Sequence, residues 1–219
     1  MLRLLTIAAL ALVAASFPAR ADSDVEITMS SRLQTLEARI DNIEQLREKR
    51  FRKNRHYDRN VTLSNRRFAS ARYQDVAWAN ESLVPELGAY GVKTLLSALV
   101  NESLRRAGVD RSGTTIRIHL DTLRVSNHAL AMLSGSGSYV RGSISLVDAA
   151  SGEVIRTADI RANLVVDPTA DLGYKGPDFM FEDTDPANRM GPALAYFVME
   201  GLGKLYEGTQ FPRPVTLVF

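Results

Sequence analysis

The chain has no cysteine, three histidines and one tryptophan, and it has only one long apolar run. Without cysteine there is no thiol nucleophile, thiolate metal site, disulfide framework or N-terminal lipid anchor on a cysteine. A chain of 219 residues needs no disulfides, because it is long enough to bury a sufficient core. The histidines are His56, His119 and His128, and no pair has the i, i+4 spacing of a helical zinc site. Gly135 and Gly137 lack the third glycine of a dinucleotide loop, no phosphate-loop lysine follows them, and no Gly-x-Ser-x-Gly elbow occurs.

The single apolar run, residues 4–17, follows Arg3 and ends at Pro18. It is shorter than the roughly 20 residues that cross a bilayer and suits a leader segment. Ala19-Arg20-Ala21 has the small-x-small pattern of a cleavage site. Residues 1–21 therefore read as a signal peptide, with Asp22 starting the mature chain and a periplasmic or secreted destination; an uncleaved membrane anchor is the alternative. After cleavage no transmembrane span is expected. Hydrophobic residues make up 45% and charged residues 24%, a globular rather than disordered balance.

The formal net charge of +2 hides a polarised distribution. In residues 47–72 a dense run of arginine and lysine is opposed only by Glu48 and Asp58. In residues 167–185 Asp167, Asp171, Asp178, Glu182, Asp183 and Asp185 face only Lys175. Arg47, Lys49, Arg50, Arg52, Lys53, Arg55 and Arg59 are candidates for binding an anionic surface or partner, against a bland reading as a solvated helix end and linker. Outside the cytoplasm such a partner is a lipid phosphate, an anionic glycolipid or an acidic envelope protein rather than nucleic acid. Each basic residue near an anionic surface contributes about 1 kcal/mol.

Residues 22–27 read as loose. A helix is expected from residues 28–31 to about residue 50, with Ser31 and Gln34 at capping-box spacing. Met29, Leu33, Leu36, Ile40 and Ile43 recur at steps of 4, 3, 4 and 3, an apolar seam at the heptad period. The seam supports either a short oligomerising coiled coil or an amphipathic helix docked on its own domain.

The main domain is expected over residues 67–219, after a helical and basic segment over residues 22–66. Residues 67–78 read as a strand. A long helix is expected over residues 80–107, with Asn80 as N-cap, Pro85 in the first turn and Gly108 at the C-cap. Val92, Leu96, Leu99, Val100 and Leu104 form its stripe, worth on the order of 10 kcal/mol before the entropy cost of folding. Residues 115–125 alternate, with Ile116, Ile118 and Leu120 on one face and Arg117, His119 and Asp121 on the other. Residues 140–147 and 153–167 read as a hairpin about Ala149-Ala150-Ser151-Gly152. Residues 134–138 and 168–187 read as loops, residues 187–206 as a second helix, and residues 211–219 as a terminal extended segment. The expected fold is α+β: a mostly antiparallel sheet with two helices packed on one face, preceded by an N-terminal amphipathic helix.

His119 and Asp121 share a strand face, which permits a relay or metal pair but fits a polar outer face better. Glu182, Asp183 and Asp185 could face calcium, though the Asp-x-Asp-x-Asp-Gly order is absent. Asn60, Asn80 and Asn101 lie in glycosylation sequons.

A helix with Leu95, Leu96, Leu99 and Leu104, the strand Ile116-Arg117-Ile118-His119-Leu120 and the hairpin Val147-Asp148-Ala149-Ala150-Ser151-Gly152-Glu153-Val154 together resemble small bacterial periplasmic accessory domains, such as the auxiliary lipoproteins of lipid-transport ABC systems. The resemblance covers roughly residues 68–206 and departs from that group in lacking the lipobox cysteine. It implies an accessory role without catalytic residues.

The expected function is a non-enzymatic exported envelope accessory or assembly protein with no cofactor and no metal. One alternative is a hydrolase with a site in the 168–187 loop. Another is a structural protein that self-assembles through the N-terminal helix.

Overall fold

A computed structural model describes residues 25–54, 78–125, 137–163, 178–183 and 190–218. The expected leader, the expected strand over residues 67–77 and most of the 168–187 loop lie outside the described residues.

The chain order is β1 (Val25–Met29), α1 (Ser31–Asn54), α2 (Ala79–Leu83), a 3-10 turn (Leu87–Ala89), α3 (Val92–Arg106), β2 (Thr114–Arg124), β3 (Tyr139–Asp148), β4 (Val154–Asn163), β5 (Phe179–Asp183), α4 (Met190–Leu205) and β6 (Pro214–Val218). The architecture is α+β with a mixed four-stranded sheet in the order β1-β2-β3-β4, and β5 and β6 form a separate parallel pair.

Strands β2, β3 and β4 form an antiparallel meander. Alternation along β2 works as its sequence requires: Ile116, Ile118 and Leu120 are fully buried, while Arg117 and His119 are half-buried and Asp121 is exposed. The β2–β3 register skips between Leu120 and Thr122. The extra residue turns Leu123 inward, as a bulge does. In β4 the inward residues are Ala158, Ile160 and Ala162, small enough to let a helix lie close.

That helix is α4, which packs on β3 and β4 and against α3. It buries residues on nearly every side, among them Met190, Leu194, Phe197, Val198, Leu202 and Leu205, as a helix enclosed in a core must. Helix α3 adds Val92, Leu95, Leu96, Leu99, Val100 and Leu104. It closes at Gly108, whose φ of 65° suits glycine.

Four expectations are corrected. Residues 25–27 are not loose and residues 28 and 29 do not begin the helix: together they form β1, which pairs parallel to β2 from Val25↔Ile116 to Met29↔Leu120. The segment read as an appendage therefore supplies an edge strand to the main sheet. Apolar Val25, Ile27 and Met29 join the same core as β2, which explains the pairing. Helix α1 starts after Ser30, not with a Ser31 box. Ser30 Oγ accepts from Leu33 N at 3.4 Å and donates to Asp121 O at 2.8 Å.

The helix expected over residues 80–107 is broken into α2, the 3-10 turn and α3. Asn80 is buried inside α2 rather than capping it. Finally, part of the expected 168–187 loop is β5, whose Phe179, Met180 and Phe181 are buried. Arg106 stacks over the Phe179 ring at 4.8 Å and donates to Asp178 O at 3.3 Å.

Helix α1 is held to the domain by carboxylates spaced along one face. Glu37 Oε2 meets Lys93 Nζ at 2.9 Å. Asp41 Oδ1 accepts from Val92 N at 2.9 Å, at the start of α3. Glu44 Oε2 accepts from Met190 N at 3.0 Å, at the start of α4, and its Oε1 takes Arg47 Nη1 at 2.6 Å. Glu48 accepts from Arg52 Nε at 2.7 Å and Asn80 Nδ2 at 2.6 Å. The first amides of a helix have no partner within it, and negative charge is favoured there. Two core helices thus take their capping carboxylates from a third helix. Gly91 shows how close the contact is, since a methyl there would stand 2.7 Å from Asp41 Oδ2. Burial raises the Asp41 carboxyl above its ordinary range, the Val92 amide partly offsetting this.

Two outcomes are expected. Replacing Glu44 with Ala strands the buried Met190 amide and should cost about 2 kcal/mol in chemical denaturation, whereas Glu44→Gln, which keeps a carbonyl acceptor, should cost less than half of that. Arg105 and Arg106 hold the Glu102 carboxyl down at about 2. A depressed carboxylate contributes stability above its unfolded value, and that contribution fades as pH falls from about 4.5 toward 2. Compared with Glu102→Gln, the wild-type protein should lose about 0.5–1 kcal/mol more across that window in pH-dependent melts, the screened value for a mostly solvated pair.

Candidate functional site

Helix α1 sorts its charges by side. Every carboxylate of the helix, at Glu37, Asp41, Glu44 and Glu48, is half-buried or buried and has a partner inside the protein. Its exposed charged residues are Arg32, Arg39, Lys49, Arg50 and Lys53, all cations. The outward surface is therefore basic although the helix as a whole carries both signs.

The expected anion-binding residues separate accordingly. Lys49, Arg50 and Lys53 are exposed on the last two turns of α1. Arg47 is half-buried and paired with Glu44. Arg52 is a structural connector: it binds Glu48 Oε1, donates to Val84 O at 2.7 Å and Asn80 O at 3.3 Å, reaches Pro85 O, and sits 3.7 Å from Glu81. With Phe51, whose ring meets Trp78 edge-on at 6.0 Å, it fixes the chain that leads into α3. Arg55 and Arg59 lie outside the described residues.

The heptad seam divides as well. Met29 belongs to β1 rather than to the helix. Leu33 is buried in the core, and Ile40 is half-buried and packs against it. Leu36 and Ile43 are exposed at 39% and 41%, and Leu46, which the periodicity did not single out, at 62%. These three apolar residues share the outward side with the free cations.

On the outer face of the sheet, Thr28 Oγ1 lies 2.9 Å from His119 Nδ1. His119 Nε2 is 3.6 Å from Asp121 Oδ1, and Arg141 Nε is 3.5 Å from the other Asp121 oxygen. Arg117 pairs with Glu26 at 2.7 Å, and Ser145 with Thr157 at 2.8 Å. These cross-strand pairs suit a wet sheet face. Asp183 sits in β5 of the other sheet, and Asp185 lies outside the described residues. Among the described residues no group of three or more acidic or histidine side chains could hold a metal, and no helix is long and apolar enough to cross a membrane. The Asn80 sequon is closed to modification, because that side chain is buried and bonded to Glu48.

Sequence reasoning missed the capping carboxylates, the Arg52 connector and Leu46. The acids at positions 37, 41, 44 and 48 do fall at helical spacing on one face. That pattern is the one cue that could have revealed an inward acidic side.

Arg52 and Arg50 are therefore expected to behave differently. Arg52→Gln should lower stability by about 3 kcal/mol, because it removes the guanidinium that faces the buried Glu48 carboxylate. Arg50→Gln should leave the denaturation midpoint unchanged. Comparison with known proteins adds no identity: no family model, curated protein or solved structure matches this chain.

Proposed function

We propose that the protein is a non-enzymatic accessory or assembly factor of the cell envelope, exported by its leader, that docks on an anionic surface or an acidic protein through the outward side of α1. The observation that carries this reading is the segregation of charge on that helix. Its acids are consumed by the domain behind it, while Lys49, Arg50 and Lys53 stand exposed near Leu36, Ile43 and Leu46. An amphipathic basic helix gains both by burying apolar area at an interface and by meeting anionic groups. In this reading α3 and α4 share one face of the sheet, and the N-terminal amphipathic helix is fixed ahead of them as the presenting element. The likeness to periplasmic accessory domains points the same way.

The same side of the helix favours a second reading, self-association through Leu36, Ile43 and Leu46. Sedimentation separates the two: Ile43→Lys with Leu46→Lys would abolish an oligomer.

The docking reading is tested by co-sedimentation with vesicles. The protein should bind vesicles containing anionic lipid and release them as salt is raised, because screening shortens the reach of the charges. Joint replacement of Lys49, Arg50 and Lys53 by Gln should weaken binding on the order of 100-fold with an unchanged melting profile. Binding that ignores both salt and these substitutions would count against the helix as the docking element.

A further inference from the structure

Beside the exposed strip of α1 lies an open-sided groove of about 480 Å³, formed between the first half of that helix and the carboxy-terminal end of β2. Its apolar lining comes from Leu36, Ile40 and Ile43 on the helix, Leu123 and Val125 on the strand, and the Tyr139 ring at the start of β3. The bulge at Asp121 shapes this end of the sheet, since the register skip turns Leu123 toward the core. The groove also takes in three arginines: Arg32 and Arg39 from α1 and Arg124 from β2. All three are exposed. Among the described residues none is in an ion pair, in contrast to Arg47, Arg52, Arg105, Arg106, Arg117, Arg141, Arg156 and Arg213. The one carboxylate in the lining, Asp121, already lies against Arg141 and near His119.

We propose that this groove binds a small amphiphilic organic anion, whose apolar body lies on the Leu36–Ile43 and Leu123–Val125 surfaces and whose carboxylate or phosphate ester is held by Arg32, Arg39 and Arg124. The volume falls in the range of small-ligand sites, about 300–1,000 Å³, whereas a docked helix is about 10–12 Å across with its side chains. Guanidinium groups match carboxylate and phosphate oxygens in geometry as well as charge. Residues 126–136, which follow Val125 in the chain, contain no acidic residue to pair with these arginines. The groove shares Leu36 and Ile43 with the docking strip but not its cations Lys49, Arg50 and Lys53, so either reading can fail without the other.

The test is isothermal titration of the purified protein with dodecanoate below its micelle concentration, alongside dodecyltrimethylammonium, inorganic phosphate and an acidic amphipathic peptide. Dodecanoate should bind saturably, and the cationic amphiphile and inorganic phosphate at least tenfold more weakly. Joint replacement of Arg32, Arg39 and Arg124 by Gln should weaken dodecanoate at least tenfold, and so should Ile43→Glu, which places a negative charge in the groove. The Lys49, Arg50 and Lys53 triple variant should bind dodecanoate as the wild type does. Unchanged melting curves establish that each variant is folded; where one is not, Arg124→Gln alone serves in its place. Equal binding of both amphiphiles, insensitivity to the arginine substitutions, or preference for the peptide would each overturn the proposal.

Discussion

The arrangement of the molecule depends on where the carboxylates of α1 sit. Asp41 faces the first amide of α3 and Glu44 the first amide of α4, while Glu48 ties Arg52 and Asn80 into one buried cluster. A helix start is a concentration of unpaired amides and partial positive charge. Neither core helix supplies its own acid in its first turn. Their starts come together under α1, and α1 answers them with acids spaced at helical repeats. Beyond that complementarity, α1 is held to the domain by Leu33, Ile40 and Phe51 and by Gln45 and Arg52, which donate to carbonyls of residues 80–90.

Because the acids are committed inward, the outward side is left with cations and three apolar residues. The basic outward surface is thus a by-product of how the helix is anchored. A helix with four acids and seven basic residues would present both signs to solvent if it stood alone. Docked, it presents one. Arg52 illustrates the same sorting in reverse, a basic residue drawn inward because Glu48, Glu81 and the carbonyls of residues 80–85 surround it.

Much of the sheet and both long core helices could be read directly. Ile116, Ile118 and Leu120 alternate with polar residues, Gly152 closes the β3–β4 hairpin with φ 73°, and the α3 and α4 stripes follow the helical period. These patterns are local, so a single sequence displays them. Strand β1 was not legible, because five residues with a mixed pattern become a strand only when β2 offers a parallel edge. The break between α2 and α3 escaped for a related reason. The stripe that begins at Val92 is strongly helical, and the chain before it is interrupted at Val84-Pro85, where proline disfavours a continuing helix and Arg52 holds the carbonyls of Asn80, Val84 and Pro85.

The sequence by itself determined the compositional limits, the α+β alternation and the presence of a basic helix, since each follows from residue types and their spacing along the chain. Only the tertiary structure decided which charges of that helix remain free. It buried Leu33 and left Leu46 in solvent, and it tied Arg52 down while leaving Arg50 exposed. The physical reason is that a charge is silenced or kept by what packs against it, and here the deciding neighbours, Val92 and Met190, lie 51 and 146 residues further along the chain.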